Sequence, residues 1–175
     1  MSSLLVLGGA RSGKSRFAEG RLAGWPGRKV YLATAQAHDA EMAERIAAHR
    51  DQRAADGWQT VEEPLALVEA LHAAAAPGTA VLVDCLTLWL GNLFGAEQPI
   101  EAACAELVAA APGLAGTVIF VSNEVGLGIV PDNALARRFR DAAGRLHQDL
   151  AAAVDEVVFV AAGLPLTLKS PSKDR

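Results

Sequence analysis

The residues with the clearest chemistry form the segment Gly8-Gly9-Ala10-Arg11-Ser12-Gly13-Lys14-Ser15. It matches G-x-x-x-x-G-K-[ST], and it follows a β-rich run and precedes a predicted helix. The glycines in such a loop let backbone N–H groups point at one phosphate, and the helix start adds partial positive charge. Lys14 can reach the β- and γ-phosphates, and Ser15 Oγ can bind Mg²⁺. The segment therefore predicts a site for a nucleoside triphosphate with Mg²⁺, with an unliganded glycine-rich turn as the alternative.

A second acidic position follows a later apolar run, Ala80-Val81-Leu82-Val83, which ends at Asp84. A carboxylate at the end of such a strand can hold the Mg²⁺ that accompanies bound phosphates. Asp84 is therefore a candidate metal and nucleotide contact. The alternative is that Asp84 caps the helix that begins near Leu86, because Asp is common at helix starts.

A histidine lies among arginines in the predicted helix 39–56. Arg45, His49 and Arg53 are four residues apart and form one stripe on the helix, with Arg50 beside it. Neighbouring positive charge disfavours the imidazolium form, so His49 should stay neutral and nucleophilic, and the arginines can neutralise phosphate oxygens. This setting suits attack on the α-phosphate of a nucleotide. The alternative is a solvated helix face in which Glu41 pairs with Arg45.

The positions of these residues follow from the order of the predicted elements. Apolar runs that are covered on both faces indicate a mainly parallel sheet with helices on each side. Together with the phosphate loop they predict an α/β three-layer sandwich of the P-loop NTPase (RecA-like) type, in one domain over residues 1–170 with a frayed tail at 171–175. The predicted strands are 4–7, 29–33, 60–62, 80–84, 117–122 and 156–161, and the predicted helices are 14–23, 39–56, 65–75, 86–93, 100–110 and 133–154.

Composition limits the classes of partner. The chain has 175 residues, 51% hydrophobic and 21% charged, which is typical of a globular domain. Its net charge of -4 and its 5% aromatic content argue against binding long nucleic acid, so any phosphate must be met by a local site. No apolar run is long enough to span a membrane, and no leader is evident, so we expect a cytoplasmic protein. Cys85 and Cys104 lack metal-ligand spacing and are expected to be buried thiols.

Taken together, these features resemble the bifunctional adenosylcobinamide kinase / adenosylcobinamide-phosphate guanylyltransferase family of cobalamin assembly and corrinoid salvage. The resemblance covers nearly the whole chain. The segments that carry it are Gly8-Gly9-Ala10-Arg11-Ser12-Gly13-Lys14-Ser15-Arg16, Tyr31-Leu32-Ala33-Thr34-Ala35-Gln36, Glu41-Met42-Ala43-Glu44-Arg45-Ile46-Ala47-Ala48-His49-Arg50 and Asn123-Glu124-Val125-Gly126-Leu127-Gly128-Ile129-Val130-Pro131.

The resemblance implies an activity with two steps. Adenosylcobinamide is phosphorylated at its aminopropanol hydroxyl with ATP or GTP, and GMP is then transferred from GTP to that phosphate, giving adenosylcobinamide-GDP. His49 would carry GMP covalently, and Lys14 would serve the kinase step. Relatives have two adjacent histidines where this chain has Ala48 and His49. The nucleotide contacts implied by the resemblance are Gly8 to Ser15, Thr34, Ala35, Gln36, Arg50, Asp51, Gln52, Arg53, Glu62 and Asp84, and the metal contacts are Ser15 and Asp84.

The resemblance also implies a homotrimer, and a chain of this size has little surface to enclose a nucleotide and a bulky corrinoid alone. Two other functions fit the residues: a small-molecule kinase in which His49 has no covalent role, and a nucleotide switch or motor ATPase that only binds and hydrolyses. The segment 123–131 is either a structural turn, with Asn133 capping the next helix, or a surface for the corrinoid or another subunit.

Overall fold

A single twisted sheet organises the chain. The computed structural model describes residues 2–37 and 40–170, and for residues 40, 42, 43, 45, 46, 48 and 49 it describes the backbone alone. The strands are β1 (Ser2–Gly8), β2 (Lys29–Ala33), β3 (Trp58–Glu62), β4 (Ala80–Asp84), β5 (Thr117–Asn123), β6 (Glu156–Ala161) and β7 (Leu164–Lys169). The helices are α1 (Lys14–Arg21), α2 (Ala40–Ala55), α3 (Leu67–Ala74), α4 (Leu86–Gly95), α5 (Ile100–Ala110) and α6 (Ala134–Ala153), with a 3₁₀ turn at Ala111–Gly113.

The strand order is β3-β2-β4-β5-β1-β6-β7, and the first six of these strands in the order run parallel. All six predicted strands and all six predicted helices are present, with ends that differ by two residues at most. The parallel arrangement explains the unbroken apolar runs, because both faces of the central strands are covered by helices. The predicted mainly parallel α/β sandwich is thus confirmed.

Alternate side chains of each strand enter two separate cores. Leu5 on β1 and Val83 on β4 point to the face that packs against α3, α4, α5 and α6. Val6 and Leu82 point to the opposite face, where α1 packs. The α2 helix lies on this second face too, since Arg53 covers the ring of Tyr31 there. The result is three layers with every carboxyl end of the parallel strands at one edge.

The sequence analysis missed β7, which pairs antiparallel with β6 and forms an edge of the sheet. Ala162 and Gly163 connect the two strands in a tight turn, and both have positive φ, 52° and 79°. Such turns usually carry Asn-Gly or Asp-Gly, so Ala-Gly gives a weak signal. Pro165 is tolerated because it lies in an edge strand.

None of the helices within the described ranges has the length and apolar character needed to span a membrane. The predicted frayed tail, residues 171–175, lies outside the described residues.

Candidate functional site at the carboxyl edge of the sheet

The phosphate loop connects β1 to α1. Gly13 occupies the N-cap position of α1 with φ 95°, a left-handed conformation that favours glycine. Lys14 and Ser15 are then the first two helical residues, where backbone N–H groups have no intrahelical partner. The Lys14 side chain is buried, and its Nζ donates to Gly9 O at 3.1 Å. The loop therefore gathers an ammonium group, a hydroxyl and free N–H donors, as an oxyanion site requires.

Two glycines of this loop are needed because other backbone lies against them. A Cβ on Gly8 would lie 2.5 Å from Val160 O, and a Cβ on Gly13 would lie 3.2 Å from Gly163 Cα. The β6–β7 turn supports the loop directly, since Gly163 N donates to Ser12 O at 2.8 Å. The edge strand that the sequence did not predict thus helps to shape the phosphate loop.

Asp84 ends β4 at the same edge and is half-buried. Its Oδ2 accepts a hydrogen bond of 2.8 Å from the hydroxyl of Tyr31. Cys85, not Asp84, is the N-cap residue of α4, and it makes no side-chain cap, so the capping alternative for Asp84 is wrong. Burial raises the pKa of the Tyr31 phenol above its usual range, and the charge and hydrogen bond of Asp84 raise it further. Tyr31 is therefore a neutral hydrogen-bond donor that orients the side chain of Asp84.

Sheet register places the second group of predicted contacts beside Asp84. Ala33 on β2 pairs with Asp84 on one side and with Glu62 on the other. The segment 34–36 leaves β2 from this row, with Thr34 fully buried. Glu62 is exposed and lies 3.8 Å from Arg50. Three residues that are 22 to 51 positions apart in the chain consequently lie in one row at this edge.

The helix α2 is fixed over this row by Arg53. Its guanidinium lies 3.8 Å from the centre of the Tyr31 ring, close enough for a cation–π contact. Asp51 and Gln52 are exposed. His49 lies in α2 one turn before Arg53, and the side chains of His49 and Arg45 are outside the described residues. Of the predicted stripe, Arg53 alone has a described side chain, and sequence spacing did not indicate its contact with Tyr31.

Around the predicted contact Thr34, the structure adds polar residues that the sequence analysis did not select. Thr34 Oγ1 bonds both the N–H and the carbonyl of Cys85, at 2.9 and 2.8 Å. Thr87 Oγ1 accepts from the side chain of Asn123 at 2.9 Å, and Asn92 Nδ2 donates to Thr34 O at 2.7 Å. Asn123 lay within a quoted motif, but nothing in the sequence marked Thr87 or Asn92.

Behind the phosphate loop, the end of β5 carries a buried polar cluster. Ser122 Oγ and His147 Nε2 are 2.7 Å apart, and His147 Nδ1 lies 3.7 Å from Glu124 Oε2. Burial lowers the pKa of His147, and the Glu124 carboxylate opposes this in part. Glu124 N also donates to Gly8 O at 2.9 Å. His147 is thus a buried histidine, and the cluster holds β5 against the start of the loop.

The predicted cap and thiols can also be located. Asn133 Oδ1 accepts from Ala136 N at 3.1 Å, so the expected N-cap of α6 is confirmed. Cys85 is buried and Cys104 is half-buried, and both are free thiols. Burial raises the pKa of Cys104 to about 11. Neither thiol is therefore a ready thiolate at neutral pH.

Comparison with known proteins decides between the classes that share this geometry. The family model for cobinamide kinase / cobinamide phosphate guanyltransferase matches residues 4–168. The chain belongs to this family. A bifunctional adenosylcobalamin biosynthesis protein, CobP of Pseudomonas aeruginosa, is 52% identical over 94% of this chain and 96% of its own length. The corresponding CobU proteins of Escherichia coli and Salmonella typhimurium are 44% and 43% identical, each over 95% of this chain and 99% of their length.

Membership in the cobinamide kinase / cobinamide phosphate guanyltransferase family makes this chain a kinase and nucleotidyltransferase of cobalamin biosynthesis. Among solved structures, the P4 protein of bacteriophage phi6 with ADP has a TM-score of 0.55 at 16% identity, covering 98% of this chain. An ATPase of a type III secretion system has a TM-score of 0.57 at 11% identity, covering 95% of this chain. The chain spans 56% of each of those proteins. These likenesses confirm the P-loop NTPase fold of the family member.

Proposed function

We propose that the chain phosphorylates adenosylcobinamide and then transfers GMP from GTP to the new phosphate through a covalent GMP–His49 intermediate. One observation carries this proposal. Arg53, one turn after His49, lies on the ring of Tyr31, whose hydroxyl binds Asp84. The helix that bears the proposed nucleophile is thereby held beside the acidic end of β4, on the edge that also carries the phosphate loop.

For the kinase step, the phosphate loop from Gly8 to Ser15 holds the donor, ATP or GTP. Lys14 and the start of α1 neutralise the β- and γ-phosphates, which favours in-line transfer to a hydroxyl of the corrinoid. A hydroxyl and a carboxylate are oxygen donors of the kind that Mg²⁺ takes, and Ser15 and Asp84 supply them at this edge. Bound there, Mg²⁺ would neutralise phosphate charge.

For the guanylyl step, an imidazole nitrogen of His49 attacks the α-phosphorus of GTP. The bond to the bridging oxygen breaks, pyrophosphate leaves, and a P–N bond forms. A phosphate oxygen of adenosylcobinamide phosphate then attacks the same phosphorus, the P–N bond breaks, and His49 is regenerated. The arginines offset the charge of the phosphates during both displacements. The nucleotide contacts in this proposal are Thr34, Ala35, Gln36, Arg50, Asp51, Gln52, Arg53, Glu62 and Asp84.

Labelled GTP tests the covalent step. The protein is incubated with GTP labelled at the α- or the γ-phosphate, denatured, and assayed for bound label. We expect retention from α-labelled GTP alone, with the acid lability and base stability of a phosphoramidate, and its loss in His49→Ala. The matched control is His72→Ala, since His72 is exposed on α3, away from this edge.

Other results would support the rival functions. If no label is retained while adenosylcobinamide phosphate accumulates, the chain is a kinase without a covalent histidine. Slow hydrolysis without any cobinamide-dependent product would instead indicate a nucleotide switch.

We also propose that the chain works as a homotrimer whose subunits share the corrinoid cleft. Support comes from large apolar side chains left in solvent on the edge strand β7 and on the loop after β5. Leu127 and Ile129 are 83% and 96% exposed, and Leu164 is 72% exposed. Light scattering should give the mass of three chains, and a fully active monomer would contradict the proposal.

A further inference from the structure

A chain of hydrogen bonds runs beneath the carboxyl edge, from β5 across β4 to β2. At one end, Asn123 donates to Thr87 Oγ1 twice, from its backbone N at 3.2 Å and from its side chain at 2.9 Å. Thr87 Oγ1 lies 3.2 Å from Cys85 Sγ. The backbone N–H of Cys85 in turn donates to the hydroxyl of Thr34, and that hydroxyl donates to the carbonyl of Cys85. Thr34, Cys85 and Thr87 are all buried.

The Thr87 hydroxyl is the branch point of this chain, and its hydrogen-bonding capacity is used completely. A hydroxyl has two acceptor sites and one hydrogen to donate. The two N–H groups of Asn123 occupy both acceptor sites, so the hydrogen is left for Cys85 Sγ. Water cannot replace these bonds because the side chain is only 7% exposed. The Thr87 hydroxyl therefore links the end of β5 to the first turn of α4, in addition to the direct pairing of β4 with β5.

The two ends of this chain of hydrogen bonds lie at the two halves of the proposed nucleotide site. Asn123 pairs in the sheet with Gly8, the first residue of the phosphate loop. Thr34 is the first residue after β2, and its carbonyl oxygen accepts a hydrogen bond of 2.7 Å from Asn92 Nδ2. The strands β5 and β4 separate these two segments in the sheet order. A ligand that contacts both segments therefore depends on their relative placement.

We propose that Thr87 is a positioning residue that keeps the phosphate loop and the segment 34–36 in register for a nucleoside triphosphate. The inference rests on the proposed function in one respect, that the nucleotide contacts both segments. Thr87 touches neither phosphate nor base in this proposal. Its role is to hold β5, which carries Asn123 beside Gly8, against the start of α4 and through it against Thr34.

Two ligands separate positioning from a general loss of structure. Inorganic tripolyphosphate contacts the phosphate loop alone, whereas a non-hydrolysable GTP analogue contacts both segments. Thr87→Val keeps the shape of the side chain and removes the hydroxyl. We expect Thr87→Val to weaken binding of the GTP analogue about tenfold by calorimetry, because only part of the free energy of the lost hydrogen bonds is transmitted to the ligand. The affinity of Thr87→Val for tripolyphosphate should stay within about twofold of the wild-type value. A change of that size is usual for a substitution that does not disturb the binding site.

Matched variants complete the design. Thr87→Ser retains the hydroxyl and should restore the affinity for the analogue. Thr79→Val removes another buried threonine hydroxyl, just before β4 at the opposite edge, and should leave both affinities unchanged. Should Thr87→Val fail to fold, Asn123→Ala removes one of the two bonds to Thr87 and keeps the other. Asn123→Ala should likewise lower the affinity for the GTP analogue and leave the affinity for tripolyphosphate unchanged.

Equal affinities of Thr87→Val and the wild type for the GTP analogue would overturn the inference. The inference would also be overturned if Thr87→Val lost affinity for both ligands equally, or if Thr87→Ser did not restore the affinity for the GTP analogue. A wild-type protein that binds tripolyphosphate as tightly as the analogue would instead refute the nucleotide placement under the proposed function, and positioning with it. A selective loss in Thr87→Val stands even if His49 proves not to carry GMP.

Discussion

Replacing Tyr31 by Phe tests the central contact of the site with a single atom. The ring is buried and has three neighbours: Asp84 at the hydroxyl, Arg53 on the face at 3.8 Å, and Trp58 at its edge with centroids 5.9 Å apart. Tyr31→Phe preserves both ring contacts and removes the 2.8 Å bond to Asp84. Any change in activity must then come through Asp84.

The expected size of the effect follows from the kind of bond and its exposure. A hydrogen bond to a charged group contributes about 1.5–3 kcal/mol. Asp84 is half-buried, so water can partly replace the phenol, and the lower end of that range applies. About 1.5 kcal/mol corresponds to roughly a tenfold fall in rate. We therefore expect kcat for phosphorylation of adenosylcobinamide to fall about tenfold, while GMP labelling, which depends on α2, changes little.

Tyr31→Leu is the matched comparison, because it also removes the ring that supports Arg53. Both phosphorylation and GMP labelling should then decline. Steady-state assays of the two products, with unfolding in urea as a check on the fold, distinguish the variants. Full kinase activity in Tyr31→Phe would refute the argument that this hydroxyl orients Asp84.

The same contact can be followed by titration, since Tyr31 is the chain's one tyrosine. Burial and Asp84 raise its pKa, so the folded protein should show no tyrosinate absorbance near pH 10, the ordinary pKa of the group. Asp84→Asn removes the negative charge and leaves a neutral, weaker acceptor, so the pKa of Tyr31 should fall while burial keeps it above the usual range. An unchanged titration in Asp84→Asn would show that the two groups do not interact.

Three further changes test the support of the site. Gly8→Ala should destabilise the fold by about 1–3 kcal/mol in urea, because its Cβ would meet Val160 O at 2.5 Å; Gly9→Ala, with open space around its Cβ, is the control. Asn133→Ala should lower the free energy of unfolding by about 1 kcal/mol through loss of its cap, and an unchanged value would refute that role. The pKa of His147 is lowered in the folded state, so the unfolded state binds more protons below pH ~6.5 and stability should fall as pH falls, by at most about 1.4 kcal/mol per unit. His147→Gln should flatten this slope, and an equally steep slope would contradict it.

The sequence predicted the parts of the site that depend on local pattern. The phosphate loop and the strand that ends at Asp84 are continuous segments whose spacing alone specifies a backbone shape, and both lie where they were expected. The helix 39–56 was also predicted, from its periodicity. Residues such as Glu62 depended on the family resemblance, because a charged residue at a strand end has no distinctive local signal.

What the sequence did not predict are contacts between segments that are distant in the chain. The bond from Tyr31 to Asp84 spans 53 positions, and that from Asn123 to Thr87 spans 36. None of these four residues is of an unusual type for its position. Only the order of the strands in the sheet shows which residues become partners. The edge strand β7 was missed for a related reason. Its turn at Ala162 and Gly163 is stabilised by the bond from Gly163 to Ser12, and no local preference encodes that bond.

The strand order also explains why one small sheet can serve both a kinase and a nucleotidyl transfer. Neighbouring strands are about 4.8 Å apart, so β1 and β2, three spacings apart in the order, lie roughly 14 Å from each other. Under the proposed function, a nucleoside triphosphate would therefore reach from the phosphate loop to the segment after β2. Under the proposed function, phosphoryl transfer takes place at one position, between the phosphate loop and Asp84, and guanylyl transfer takes place at a second, beside the segment after β2 and the helix α2, which Arg53 holds on Tyr31. A kinase needs the first of these positions and a guanylyltransferase the second. The polar chain through Thr87 connects the two positions, and for this reason its removal should affect whole nucleotides more than their phosphates.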